Sequence, residues 1–355
     1  MKARTIAVAT GLFATGLVTM PSAGHGLQQA PTLEGRWDAR LDEWNDEARV
    51  QLNLRVRSGG ERSNSGRSYE ADDLPVLAQA LGRGGRTDVA FSIVREAGRI
   101  DFDGTTDGDE ADGDFTWTGS TNFLSSMGRL GYDDLSPLQQ FGMTMQDITV
   151  AFTRAMQDRG YDVPADELIR FGLFGVTPEF VDALAGLGHA RVESEMLVKL
   201  RIHGATPTYI ADMSAAGYDG ELEDYVRFRI HGVDSEFAGA MARVLGQEID
   251  GDDVVRLRIH GIDAEYVRQL GDLARLDASM EDMVRMKIHG VSAAFVREMI
   301  DVGYANLSAD DLVRFRIHGV EGEFVRDLAS RGYRDLTADE LVRAKIMGRV
   351  GRRNP

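Results

Sequence analysis

Arg201-Ile202-His203-Gly204 recurs as Arg229-Ile230-His231-Gly232, Arg258-Ile259-His260-Gly261, Lys287-Ile288-His289-Gly290 and Arg316-Ile317-His318-Gly319. Degraded copies stand at Leu173-Phe174-Gly175 and Ile346-Met347-Gly348, and the glycines lie 28 or 29 residues apart throughout. Self-similarity at a fixed period of this size marks a repeat architecture rather than a single globular core. A weaker register begins one unit earlier, where Ile148, Phe152, Met156 and Gly160-Tyr161 match Val320, Phe324, Leu328 and Gly332-Tyr333.

Each unit spells two helices. The segment before the glycine opens on a capping residue and early carboxylates, as in Ser308-Ala-Asp-Asp311 and Thr337-Ala-Asp-Glu340, and closes on a base or histidine. Those charges suit the two ends of the helix macrodipole, and glycine adopts the left-handed conformation that stops a helix. Two residues later Thr177, Thr206, Asp234, Asp263 and Ser292 are placed to cap the second helix. Its inward stripe carries Phe180, Tyr209, Phe237, Tyr266, Phe295 and Phe324, followed by Leu184, Met213, Met241, Leu270, Met299 and Leu328. These are expected core residues. Two short helices cannot bury both apolar faces alone, so the units are expected to stack into one solenoid.

Charged ladders run through the first helix. Asp166/Arg170, Glu195/Lys199, Glu223/Arg227, Asp252/Arg256, Glu281/Arg285, Asp310/Arg314 and Asp339/Arg343 place acid before base at i,i+4, which predicts pairing within each helix. A second base, three residues before each glycine, falls at Arg201, Arg229, Arg258, Lys287, Arg316 and Lys345. At 100° per residue it joins the stripe of Leu312, Val313, Phe315 and Ile317. Either its stem packs while its head meets a carboxylate such as Glu236, Glu265 or Glu323, or Arg201, Arg229, Arg258, Lys287 and Arg316 bind an anionic ligand or partner. The histidines His203, His231, His260, His289 and His318 are expected at helix ends in a packing and dipole role. Neighbouring units stand about 10 Å apart, too far for several to share one metal.

Ahead of the repeats, Val50, Leu52, Leu54 and Val56 alternate, as do Val89, Phe91 and Ile93, then Ile100 and Phe102, then Phe115 and Trp117. Period two predicts antiparallel strands, with Trp37 and Trp44 covering the sheet and the polar Ser58–Ser68 stretch as a loop. Asp107, Asp109, Asp112 and Asp114 form a carboxylate-dense hairpin segment, a weak calcium candidate that lacks the full ligand pattern of an EF-hand loop.

Lys2 and Arg4, an apolar stretch from Ile6 to Met20 and small residues at Ser22-Ala23-Gly24 read as a signal peptide over residues 1–23. There is no cysteine, so neither disulfides nor thiol chemistry are open to this chain. A formal charge of −17 argues against a nucleic-acid partner. No HExxH, GxSxG or P-loop motif occurs, so no catalytic residue and no cofactor is assigned.

The units Leu312-Val-Arg-Phe-Arg-Ile-His-Gly-Val320 and Phe324-Val-Arg-Asp-Leu328, with Gly332-Tyr333 and Leu336-Thr-Ala-Asp-Glu-Leu341, resemble bacterial helical repeats of extracytoplasmic regions. Some of those regions are attached to membrane zinc metallopeptidases of the antirepressor type that sense β-lactams. Arg95-Glu-Ala-Gly-Arg-Ile-Asp-Phe-Asp-Gly104 and Gly113-Asp-Phe-Thr-Trp117 resemble the segment that precedes such repeats. The resemblance implies an envelope location, but this chain carries neither the peptidase helices nor the zinc motif.

The expected fold class is therefore α+β: a small antiparallel β-rich domain over residues 33–123, then an α-solenoid of about seven helix-turn-helix repeats over residues 124–350. The expected function is a non-enzymatic periplasmic or secreted scaffold for protein–protein interaction, accessory to envelope sensing or signalling. Its partner is another protein, not nucleic acid, and no stable membrane span is expected after signal cleavage. Binding of an anionic envelope ligand through the basic ladder is the alternative, and a carboxylate-dependent hydrolase is a third reading.

Overall fold

The structure, a computed structural model, describes residues 30–44, 47–58, 61–83, 85–218, 220–245, 250–274 and 279–348. The signal peptide expected over residues 1–23 lies outside them, as does the side chain of Trp44. The chain gathers into two compact units, the first ending at Val198 and the second beginning at Lys199. Among the described residues no helix is long and apolar enough to cross a membrane.

The first unit opens with a six-stranded antiparallel sheet: β1 (Thr32–Trp44), β2 (Glu47–Ser58), β3 (Glu61–Glu70), β4 (Arg86–Val94), β5 (Gly98–Asp107) and β6 (Glu110–Gly119), in the order β3-β2-β1-β6-β5-β4. Helix α1 (Pro75–Leu81) carries the chain from β3 to the far edge at β4. Alternation sends Leu52, Leu54, Phe91, Phe102, Phe115 and Trp117 to one face, where they are buried with Leu77 and Leu81 of α1. The rings interlock: Phe91 stacks on Phe102 at 4.3 Å, and Trp37 meets both edge-on. Such pairs add about 0.5–1.5 kcal/mol each beyond the area they bury.

Two sequence expectations change here. Trp37 does not cover the sheet from outside; it belongs to the central strand β1, paired with Leu54 on one side and Gly113 on the other. Its indole N–H donates to the Asp103 carbonyl at 3.1 Å. The Ser58–Ser68 stretch, expected as a loop, contributes most of β3, in register with β2 from Arg49↔Glu70 to Ser58↔Glu61. Backbone pairing does not require apolar side chains, and a polar outer strand protects the exposed edge of the sheet from further pairing.

Five more helices complete the first unit: α2 (Thr121–Gly128), α3 (Pro137–Gln146), α4 (Val150–Asp158), α5 (Ala165–Phe174) and α6 (Pro178–Gly186). Phe141 and Met145 of α3 close over the sheet core, and Gln140 donates to the Ala97 carbonyl at 2.7 Å. In this unit α3 packs on α5, and α2, α4 and α6 pack in succession. The glycine position of the repeat is held one unit early by Asp147, left-handed at φ 55° and paired with Arg95 at 3.2 Å. Aspartate tolerates that conformation better than most side chains, and the ion pair gives it a reason to be there.

Helix α7 (Ser194–His203) leads into the second unit, which continues with α8 (Pro207–Ala215), α9 (Leu222–Ile230), α10 (Ser235–Leu245), α11 (Gly251–Ile259) and α12 (Ala264–Ala274). The remaining helices are α13 (Met280–Ile288), α14 (Ala293–Asp301), α15 (Ala309–His318), α16 (Gly322–Ser330) and α17 (Ala338–Met347). Within this unit α9, α11, α13, α15 and α17 pack one on the next, and α8, α10, α12, α14 and α16 form a matching row. Gly319 is left-handed at φ 67°, and the Val320 N–H reaches back to the Phe315 carbonyl at 2.9 Å, so the helix stop read from the sequence is the one that forms. Thr206, Asp234, Asp263 and Ser292 accept the expected capping N–H bonds.

The acid–base ladder departs from expectation. Lys199 meets Glu223 at 2.5 Å, Arg227 meets Asp252 at 2.5 Å and Arg314 meets Asp339 at 2.6 Å, while Arg256 pairs with Glu281 and Arg285 with Asp310. Each of these five bases reaches the acid of the following repeat instead of the acid four residues earlier in its own helix, and Arg227, Arg285 and Arg314 also pair with the acid three residues earlier, Asp224, Asp282 and Asp311. The second unit stacks like helices side by side, which brings the start of one against the middle of its neighbour. Tyrosine hydroxyls bind neighbours too, Tyr209 donating to the Val233 carbonyl at 2.7 Å and Tyr266 to that of Val291 at 2.9 Å.

Candidate functional site

The last turn of α7, α9, α11, α13 and α15 runs cation, isoleucine and histidine up to the left-handed glycine, while α17 carries Met347 in the histidine's place and α5 ends on Leu173 and Phe174. Buried residues stop just short of it: in α15, Leu312, Val313 and Phe315 are buried, whereas Arg316 and Ile317 are exposed. The expectation that the base and Ile317 share the buried stripe is thus corrected. The stripe is buried only while a neighbouring helix stands opposite, and in the final turn that cover runs out.

What remains uncovered is repetitive. Ile202, Ile230, Ile259, Ile288, Ile317 and Ile346 are each between 53% and 61% exposed, and Leu173 holds the same position in the first unit at 54%. Seven of the twelve large apolar side chains exposed among the described residues thus occupy one repeat position. Isolated exposed apolar residues are ordinary, but a residue of the same kind left bare in every copy is not.

The cation beside five of these isoleucines is held in place by a ring. The Arg229 guanidinium lies over the Tyr209 ring at 5.0 Å, Arg258 over Phe237 at 4.9 Å and Lys287 over Tyr266 at 4.3 Å. Arg316 lies over Phe295 at 5.0 Å and Lys345 over Phe324 at 4.5 Å. Every ring belongs to the second helix of the preceding repeat, and such contacts contribute about 0.5–1 kcal/mol at exposed sites. The counter-charge expected at Glu236, Glu265 or Glu323 is therefore replaced by an aromatic face, because the last turn of the helix sits above the capping turn's aromatic neighbour. Of these five cations, among the described residues, Arg316 alone adds a carboxylate, Glu321 at 3.7 Å. Arg201 stands at the equivalent place at the end of α7.

The histidines His203, His231, His260, His289 and His318 stand at the helix ends, half-buried or exposed. Among the described residues no three histidine or carboxylate groups converge to hold a metal ion. The carboxylates of the β5–β6 hairpin are dispersed: Asp107 ends β5, Asp109 lies in the turn, and Asp112 and Asp114 lie on β6. Arg36 of β1 pairs with Asp112 at 3.0 Å and with Asp114 at 3.8 Å.

Sequence reasoning singled out the bases but missed the isoleucines. The signal was present in the spacing, since Phe315 and Ile317 are two residues apart and so lie on nearly opposite sides of one helix. Comparisons with protein-family models, with curated proteins and with solved structures find no match.

Proposed function

We propose that this protein is a non-enzymatic, exported scaffold whose helical repeats stack as an α-solenoid and dock another protein in the cell envelope. The row of bare isoleucines, one per repeat and flanked by ring-held cations, carries this reading. A repeated apolar and basic edge offers a long recognition surface, whereas several depressions among the described residues are open and lined mainly by polar groups. One, about 580 Å³, is lined by Asp158, Arg159, Tyr161, Arg191 and Glu193 among others, with no nucleophile–base arrangement. The likeness of the repeats to those attached to β-lactam-sensing peptidases agrees with a periplasmic or secreted place and an accessory role in envelope signalling.

The test compares the intact protein with the variant Ile230→Ser, Ile259→Ser, Ile288→Ser and Ile317→Ser as baits against envelope extracts. Since these side chains are exposed, the variant is expected to fold as the parent does. A protein retained by the parent and lost from the variant supports the reading; identical retention by both contradicts it. The alternative, a small anionic ligand held by Arg229, Arg258 and Arg316 alone, has the exposed guanidinium heads in its favour. It requires that the isoleucine variant keep full binding.

A further inference from the structure

Resting on that scaffold reading, we propose that the ridge formed by α9, α11, α13, α15 and α17 takes an extended polypeptide segment that alternates carboxylates with apolar residues.

Charge is the first argument. The chain carries 57 acidic against 40 basic residues. The bases in the middle of the first helices, Lys199, Arg227, Arg256, Arg285 and Arg314, are all engaged by carboxylates. Among the described residues Arg229, Arg258, Lys287 and Lys345 sit in no ion pair, although acids outnumber bases. An excess of carboxylates that still leaves four of the five cations on this ridge unpaired among the described residues makes the row complementary to an anionic partner.

Preorganisation is the second. Ring contacts hold each cation at a fixed distance, so a ligand need not order a long flexible side chain on binding. Their outer sides stay open: the Arg316 side chain is 34% exposed despite lying against Phe295. A guanidinium so placed presents donors in a planar fork suited to carboxylates.

Spacing selects an extended chain. Packed helices stand about 8–10 Å apart, which sets the step from one cation to the next. A chain in the polyproline II conformation rises about 3.1 Å per residue with three residues per turn, so every third side chain recurs on one side at about 9 Å. An acid at every third position would meet successive cations, and an apolar residue between would lie on Ile230, Ile259, Ile288, Ile317 and Ile346. A second copy placed ridge to ridge would oppose like charges. An anionic bilayer would bring its whole plane against an acidic protein, whereas a narrow strand feels charges only within a Debye length of about 8 Å.

The experiment measures fluorescence anisotropy of a labelled peptide of roughly five Asp-Leu-Pro triplets, a length and composition that favour the extended form. Controls are the same peptide with Asn for Asp, and vesicles rich in phosphatidylglycerol. The intact protein is expected to bind the acidic peptide, more weakly as salt rises, and the Asn peptide at least about tenfold more weakly. Arg258→Glu with Arg316→Glu, and separately Ile259→Ser with Ile288→Ser, should each weaken binding by about tenfold or more while circular dichroism stays unchanged. Arg258→Gln with Arg316→Gln guards against misfolding of the charge reversal and should weaken binding less. Equal binding of the Asp and Asn peptides, indifference to the arginine changes, or binding of vesicles without the peptide would each overturn the proposal. If the peptide fails but the fourfold isoleucine variant still loses an envelope protein, the scaffold reading stands and only this choice of partner falls.

Discussion

Arg227 of one repeat meets Asp252 of the next at 2.5 Å, and Glu223, the acid four residues before Arg227, pairs instead with Lys199 of the preceding repeat. These ion pairs therefore join repeats, while Arg227 also holds Asp224, three residues earlier in its own helix, at 2.8 Å. A double-mutant cycle on Arg227→Ala and Asp252→Ala is expected to give a coupling of about 0.2–1 kcal/mol, the usual range for exposed pairs. The cycle on Glu223 and Arg227 is expected to give none. Urea unfolding of the four proteins in each cycle measures both, and a larger coupling for Glu223 with Arg227 would return the ladder to the helix interior.

Core and ridge residues two places apart should behave as opposites. Phe315 is fully buried while Ile317 is 54% exposed. Phe315→Ala is expected to cost about 3–5 kcal/mol, and Ile317→Ala to stay within about 0.5 kcal/mol of the parent. Thermal or denaturant unfolding compares the two. A large loss at Ile317 would mean that it is packed, which removes the ridge.

Burial pushes the Tyr266 phenol up to about 12 from an ordinary value of 10.0, and its hydroxyl donates to the Val291 carbonyl at 2.9 Å. The same cause raises Tyr209 to about 12, opposed by the nearby Arg229 charge. A phenol that stays protonated in the fold while the unfolded chain ionises lends stability that is complete below about pH 10 and is lost as pH rises through about 12. Stability should fall across that window, and the fall should be shallower in Tyr266→Phe. Urea titrations at both ends of the window check this, equal falls in parent and variant being the contrary result.

The sequence made the repeats legible because their glycines, caps and stripes depend on local rules. Gly319 stops α15, and Ser292 caps α14 through its bond to the Phe295 N–H at 3.2 Å, as position alone implies. What depends on neighbours was harder to read. β3 is a strand because β2 offers it a backbone edge, which Ser63 to Ser68 do not advertise in their own composition. Arg314 turns to Asp339 because stacking brings that acid close, and no spacing within one helix states it. The bareness of Ile317 follows from where cover ends, a property of the neighbouring helix rather than of isoleucine. The bases were picked out as candidates, but the Phe295 ring that holds Arg316 lies in another repeat.

The ridge is tested most directly by placing a photoreactive phenylalanine analogue at Ile259, and in a separate variant at Arg268, an exposed position on α12 away from the ridge, then irradiating intact cells. A discrete adduct is expected from position 259, absent from position 268 and reduced by Arg258→Glu. An adduct from position 268 alone, or none from 259 while the protein is folded and exported, would contradict the claim that this row of isoleucines and cations is where a partner docks.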